Sequence, residues 1–277
     1  MEPGKNNGDT GCGTVEPGKN NGNTGRGTVE PGKNNGDIGH MNLKPIIFKC
    51  IIALVAVLAA VDGRATVTFN GPVWYDYRDT GFDVRGKGTM QNPIAISTAE
   101  ELAQVAWLVN EEGESFENKI LILADDIDLE KTVGGTRVQW VPIGFKNPFR
   151  GQFYGADTRD GQSRERHHVR GMVIHVHMTS ATDVRDFGLF GRCCGQIGYV
   201  DVEGYINVVS DGYPMWYKGT AYAGLLCGRM EGDIAYVSVE GNVTIGCSDA
   251  SNAGGICGYL VIGEVAHSTA KAMLRST

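Results

Sequence analysis

Four histidines crowd one short stretch of the chain: His167, His168, His175 and His177. Two adjacent imidazoles can hold a transition metal, but no cysteine or carboxylate lies near enough in sequence to complete a site. His175 and His177 stand two apart in a run read as a strand, so they share one face. Ile174 and Val176 then point inward, and the histidines mark a solvent-facing polar side. Asp125, Asp126 and Asp128 raise the second possibility, calcium or the carboxylates of a polysaccharide-cleaving enzyme. Such a site needs several oxygens converging and a basic residue at the scissile bond. Nothing in the spacing supplies that, and the aspartates read as a turn ahead of a strand. A helical His-Glu-x-x-His, a Gly-x-Ser-x-Gly elbow and a phosphate loop are all absent. No metal, cofactor or catalytic set is expected.

Two other groups carry possible chemistry. Ser210 to Ala221 holds three aromatics, Tyr213, Trp216 and Tyr217, within a polar Gly/Pro stretch. As an exposed patch they would stack on sugar rings or meet a protein surface; folded back, they would cover the chain's own wall. The second group is Cys193, Cys194, Cys227, Cys247 and Cys257.

These residues are positioned by a Gly-punctuated unit that recurs three times: Gly188 to Gly191, Gly224 to Gly228 and Gly254 to Gly258. Each is followed by a further glycine, an aliphatic residue and an apolar position: Gly195, Ile197, Val202; Gly232, Ile234, Val239; Gly263, Val265, Ala270. Self-similar units of this length stack, because none can bury its apolar side alone. The expected architecture is all-β, a right-handed parallel β-helix with one N-terminal capping α-helix. Stacking then predicts columns: Leu189, Leu226 and Ile256; Phe190, Cys227 and Cys257; Ile197, Ile234 and Val265; Val202, Val239 and Ala270. Column neighbours lie about 4.8 Å apart, within disulfide range. Cys227 and Cys257 are therefore either a possible disulfide or stacked buried thiols. The unit spacing is 37 residues from Gly191 to Gly228 but 30 from Gly228 to Gly258. The surplus is the aromatic loop itself, and such insertions become side loops.

The rest of the chain frames this stack. Residues 1–40 are 14-residue Gly/Asn-rich tandem repeats with too little apolar surface to order, and are expected to be upstream repeat sequence not translated in vivo. Lys44 and Lys49, the apolar run Ile51 to Val61, and the small residues Gly63 and Ala65 make 41–65 a cleaved secretory signal starting at Met41. Residues 66–118 form an N-terminal segment with the helix. There Thr98 and Glu101 make a capping box ahead of Leu102, Val105, Ala106 and Val109. Residues 119–277 form the repeat region, expected to be truncated after its third unit, and short β runs are predicted at 120–123, 127–129, 138–143, 149–154 and 169–178. A net charge of −7 without a basic block argues against nucleic acid.

The units and the segment ahead of them resemble the GLUG motif of large bacterial surface proteins. The shared elements are Asn92-Pro93-Ile94 with Ile96 and Thr98, Glu101-Leu102, Asp126-Ile127-Asp128-Leu129, Trp140 with Pro142-Ile143-Gly144, and Phe149-x-Gly151-x-Phe153-x-Gly155. Three departures stand out: the polar insertion Ala156 to His168, cysteines at column positions, and one extra residue before Gly263. The resemblance implies a secreted, adhesin-like parallel β-helix. The expected function is a non-enzymatic surface binding or adhesion module for a glycan or a host or cell-surface protein, touching the membrane only through the signal segment. The alternative is an accessory domain or fragment of a larger secreted enzyme, a metallopeptidase or a polysaccharide-cleaving one.

Overall fold

The computed structural model describes residues 67–157, 166–178, 184–210, 220–246 and 251–276. The tandem repeats, the segment expected to be a secretory signal, Cys247 and the aromatics Tyr213, Trp216 and Tyr217 all lie outside the described residues. Among the described residues, no helix is long and apolar enough to cross a membrane.

The chain is strand-rich, with mostly parallel sheets and little helix. Its regularity lies in a set of four strands laid down three times. The first copy is Val184–Phe187, Phe190–Cys193, Gln196–Gly198 and Asp201–Ser210. The second is Thr220–Gly224, Cys227–Glu231, Asp233–Ala235 and Ser238–Gly246. The third is Asn252–Gly254, Cys257–Ile262, Val265–Ala266 and Thr269–Ser276. Each strand pairs in parallel with its equivalent in the next copy, giving four sheets.

The register is the one the repeat alignment demands. Phe190 pairs with Cys227 and Cys227 with Cys257. Ile197, Ile234 and Val265 align, as do Val202, Val239 and Ala270. Leu189 donates its N–H to Leu225 O, and Leu226 N–H reaches Ile256 O, so the leucine column keeps the same order. The extra residue before Gly263 appears as a bulge, where Met230 pairs with Leu260 but Glu231 with Ile262. One added residue kinks a strand without moving the ladder beyond it.

Earlier strands join the same sheets. Gln152–Tyr154 pairs with Gln196–Gly198, and behind it lie Ile120–Leu123 and Ile94–Ile96. His168–Met178 pairs with Asp201–Ser210 and also carries Ile127–Asp128 in parallel and Val67–Phe69 antiparallel. Phe149 and Phe153 both pack their rings on Phe190, at 5.3 and 5.1 Å between centroids. The Phe-x-Gly-x-Phe run thus feeds the core that the copies share.

Two expectations need correction. Residues 138–143 are not a strand. Their N–H groups go to four different places, Val138 to Lys131 O, Gln139 to Pro72 O, Trp140 to Val173 O and Ile143 to Leu189 O, so no ladder forms. Pro142, which has no N–H to give, sits inside the run. The alternation at His175 and His177 is as expected, with Ile174 and Val176 buried between them. Their face is half-covered rather than open, and His175 Nδ1 lies 3.1 Å from Asn70 Nδ2.

The helix forms over Ala99–Trp107 with the expected capping box: Glu101 N–H to Thr98 Oγ1 at 3.1 Å, and Thr98 N–H to Glu101 Oε2 at 3.3 Å. It runs on as a π turn, Leu108–Glu112, and stops at Gly113 in the left-handed region. That turn rolls Asn110 inward. Asn110 donates to Tyr75 Oη at 2.6 Å and Pro142 O at 2.8 Å and accepts from Lys146 N, tying the helix to the turn after Trp140.

Candidate functional groove

The side chains that come together on the surface do so at one corner of the repeat. Between the third and fourth strands of each copy stands one residue with a positive φ: Tyr199 at 55°, Tyr236 at 57° and His267 at 50°. A side chain in that region costs about 1–2 kcal/mol that glycine would avoid. All three positions nevertheless carry a ring. The rings stack, Tyr199 on Tyr236 at 4.8 Å and 14°, Tyr236 on His267 at 4.8 Å and 10°. Stacking covers both faces of Tyr236 and the inner faces of its two neighbours, so the ridge meets a ligand largely through ring edges. Tyr154 begins the same edge one strand earlier, its hydroxyl 3.2 Å from Gln196 Oε1. Burial raises that hydroxyl's pKa, so it stays protonated.

Two residues beyond the ridge the fourth strands begin, and an open groove of about 450 Å³ runs across their starts. Its first column is His168, Asp201, Ser238 and Thr269, in register across four strands. Its second is formed by Asp128 with Arg170, then, past a register shift between the two strands, Glu203, Glu240 and Lys271. A strand's period of two places both columns on one face.

Ion pairs hold most of these groups. Arg166 lies 3.3 Å from Asp201 Oδ1 and donates to Tyr236 O at 2.9 Å, clamping groove to ridge. Arg170 meets Asp128 at 3.1 Å, and Lys271 meets Glu240. Asp126 Oδ1 accepts the His168 N–H at 3.0 Å and lies 3.2 Å from His167 Nδ1. The His168 amide, with His167 adding to it, holds the Asp126 carboxyl below the usual carboxylate range. It therefore acts as an acceptor at neutral pH, not as a proton donor. Glu203 is exposed, and no described side chain pairs with it. Among the described residues, no group of three or more His, Cys, Asp and Glu side chains is arranged to hold a metal.

Asp126 was legible only as a turn residue and His168 only as part of a polar run. They meet because the insertion Ala156 to His168 delays the strand that carries the histidine, so sequence distance hides the pairing. The ridge did leave a signal: Ile197-Gly-Tyr, Ile234-Ala-Tyr and Val265-Ala-His stand at equivalent points of the three copies. Cys227 and Cys257 are column neighbours as expected, and both are thiols here.

No family model matches this chain, and no curated protein or solved structure matches it either. The reading of the site rests on its geometry.

Proposed function

We propose that the chain is a secreted or cell-surface binding module, a right-handed parallel β-helix with a helical cap, that holds a glycan along the groove from Asp126 to Glu240. The fold part is supported by three four-strand copies paired in parallel and in register, and by the GLUG-like residues that recur with them. The single observation that carries the function is the pair of polar columns beside a ring ridge. Carboxylates, a guanidinium, an imidazole and a hydroxyl repeat at the strand spacing of about 4.8 Å, each fixed by backbone register instead of a flexible loop. A polyhydroxyl chain needs such a row of donors and acceptors, and a rigid row loses little entropy on binding.

The charge selects further. Asp126, Asp128, Asp201, Glu203 and Glu240 outnumber the cations at the groove, Arg166, Arg170, Lys271 and, when protonated, His168. Sulfated or uronate-rich chains would be repelled, so the ligand is a neutral or amino-substituted glycan.

The test is a glycan panel probed with the mature chain, its Arg170→Ala and Glu203→Gln forms, and its Trp216→Ala form. Neutral or amino glycans should bind, at least tenfold more weakly to one or both groove variants, with heparin-like chains unbound. Unchanged binding by both groove variants moves the site elsewhere, to the Trp216 loop if that variant alone fails. Binding to cell-surface protein but to no glycan overturns the ligand class.

A further inference from the structure

Three thiols gather at the buried side of the second sheet. Cys227 and Cys257 are register neighbours on adjacent parallel strands. Cys193, at the end of the first copy's strand, is near enough for its charge state to be felt by both. Cys193 and Cys227 are fully buried, whereas Cys257 is partly open, because no described strand lies beyond it in its sheet. Cys227 Sγ lies 3.0 Å from Arg229 O and Cys257 Sγ 3.3 Å from Tyr259 O, so each thiol points along its own strand in the same sense. Parallel neighbours stand about 4.8 Å apart, inside the Cα range a disulfide requires.

We propose that Cys227 and Cys257 form a reversible disulfide that fastens the third copy of the four-strand set to the second. The inference is independent of the glycan reading.

The accessible sulfur reacts first. Cys257, as thiolate, attacks one sulfur of a small-molecule disulfide; that S–S bond breaks, a mixed disulfide forms and one thiolate leaves. Cys227 then gives up its proton and attacks Cys257 Sγ, expelling the second small thiol. Two protein thiols are oxidised by two electrons, and one small-molecule disulfide is reduced to two thiols. The environment matches this order. The neighbouring Cys227 thiol lowers the Cys257 pKa, while burial raises that of Cys227. Burial pushes Cys193 up to about 12, so it remains a protonated bystander.

The bond would act where packing is thinnest. In the third copy Leu260 is 38% exposed and Leu274 47%, although their equivalents in the second copy, Met230 and Val243, are buried. A cross-link that restricts the unfolded chain compensates for apolar surface that packing leaves uncovered.

The experiment treats the full chain with oxidised glutathione and maps its peptides without reduction. A Cys227–Cys257 cross-linked peptide should appear and vanish with reductant. Oxidation should raise the thermal midpoint by about 5–10 °C in the unmodified chain and in Cys193→Ser, and by nothing in Cys257→Ser or Cys257→Ala. Alkylation of the reduced, folded chain should reach Cys257 before Cys227. Both thiols alkylated in full after glutathione treatment, or a cross-link through Cys193, Cys194 or Cys247 instead, overturns the proposal. If neither Cys257 variant folds, the peptide map of the unmodified chain decides alone.

Discussion

At the scale of single residues the most telling position is Tyr236. Its φ of 57° would suit glycine, yet its ring is stacked on both sides, by Tyr199 and His267. Two opposing terms can be separated by substitution. Tyr236→Ala keeps the strained backbone and loses both ring contacts, at about 0.5–1.5 kcal/mol each, so it should destabilise by about 1–3 kcal/mol. Tyr236→Gly loses the same rings but relaxes the backbone, and should be about 1 kcal/mol less damaging than alanine. Urea unfolding of the two variants measures this directly. A glycine variant as unstable as the alanine one would mean that the left-handed backbone carries no strain here. Both variants should also weaken glycan binding, since each removes the central ring of the ridge beside the groove.

At the scale of elements, the strands approach as closely as they do because glycine lines one corner. Gly195 lies against Gly151 O, Gly232 against Gly195 O and Gly263 against Gly232 O, each so close that a Cβ would overlap the carbonyl of the copy before. Gly232→Ala should therefore force two copies apart and cost about 3 kcal/mol. Gly81→Ala, where an added Cβ meets only the Asp79 carboxylate, should stay within about 0.5 kcal/mol. Equal midpoints for the two variants in chemical unfolding would refute the close-packed corner. This column was legible in the sequence, because a steric requirement repeated in every copy leaves the same residue at the same place. So were the capping box and the apolar columns, which follow from local spacing. What was not legible is whatever one long-range contact decides. Residues 138–143 read as a strand by composition and were claimed by four separate backbone partners. His175 read as solvent-facing and meets the Asn70 side chain. The groove escaped for the same reason, since Asp126 and His168 lie on separate segments ahead of the three copies, and an insertion breaks their spacing.

At the scale of the molecule, each copy rests on its sequence neighbours through parallel ladders, and no described strand joins the first copy directly to the third. Stability in such an arrangement is close to a sum of nearest-neighbour interfaces. Local opening should then follow position in the stack. Asp201–Ser210 is paired on both sides, by His168–Met178 and Ser238–Gly246. Thr269–Ser276 is paired on one side only among the described residues, and Met273 and Leu274 on it are 53% and 47% exposed. Native-state amide exchange should grade accordingly, slowest in Asp201–Ser210, intermediate in Ser238–Gly246, and faster by about tenfold or more in Thr269–Ser276. Oxidising Cys227 and Cys257 should slow exchange in the third copy and leave the first unchanged, because the bond joins only the last two copies. Equal protection in all three strands would show a single cooperative unit, with the interfaces too strongly coupled to open in turn. A gradient indifferent to oxidation would keep the stack and remove the lock.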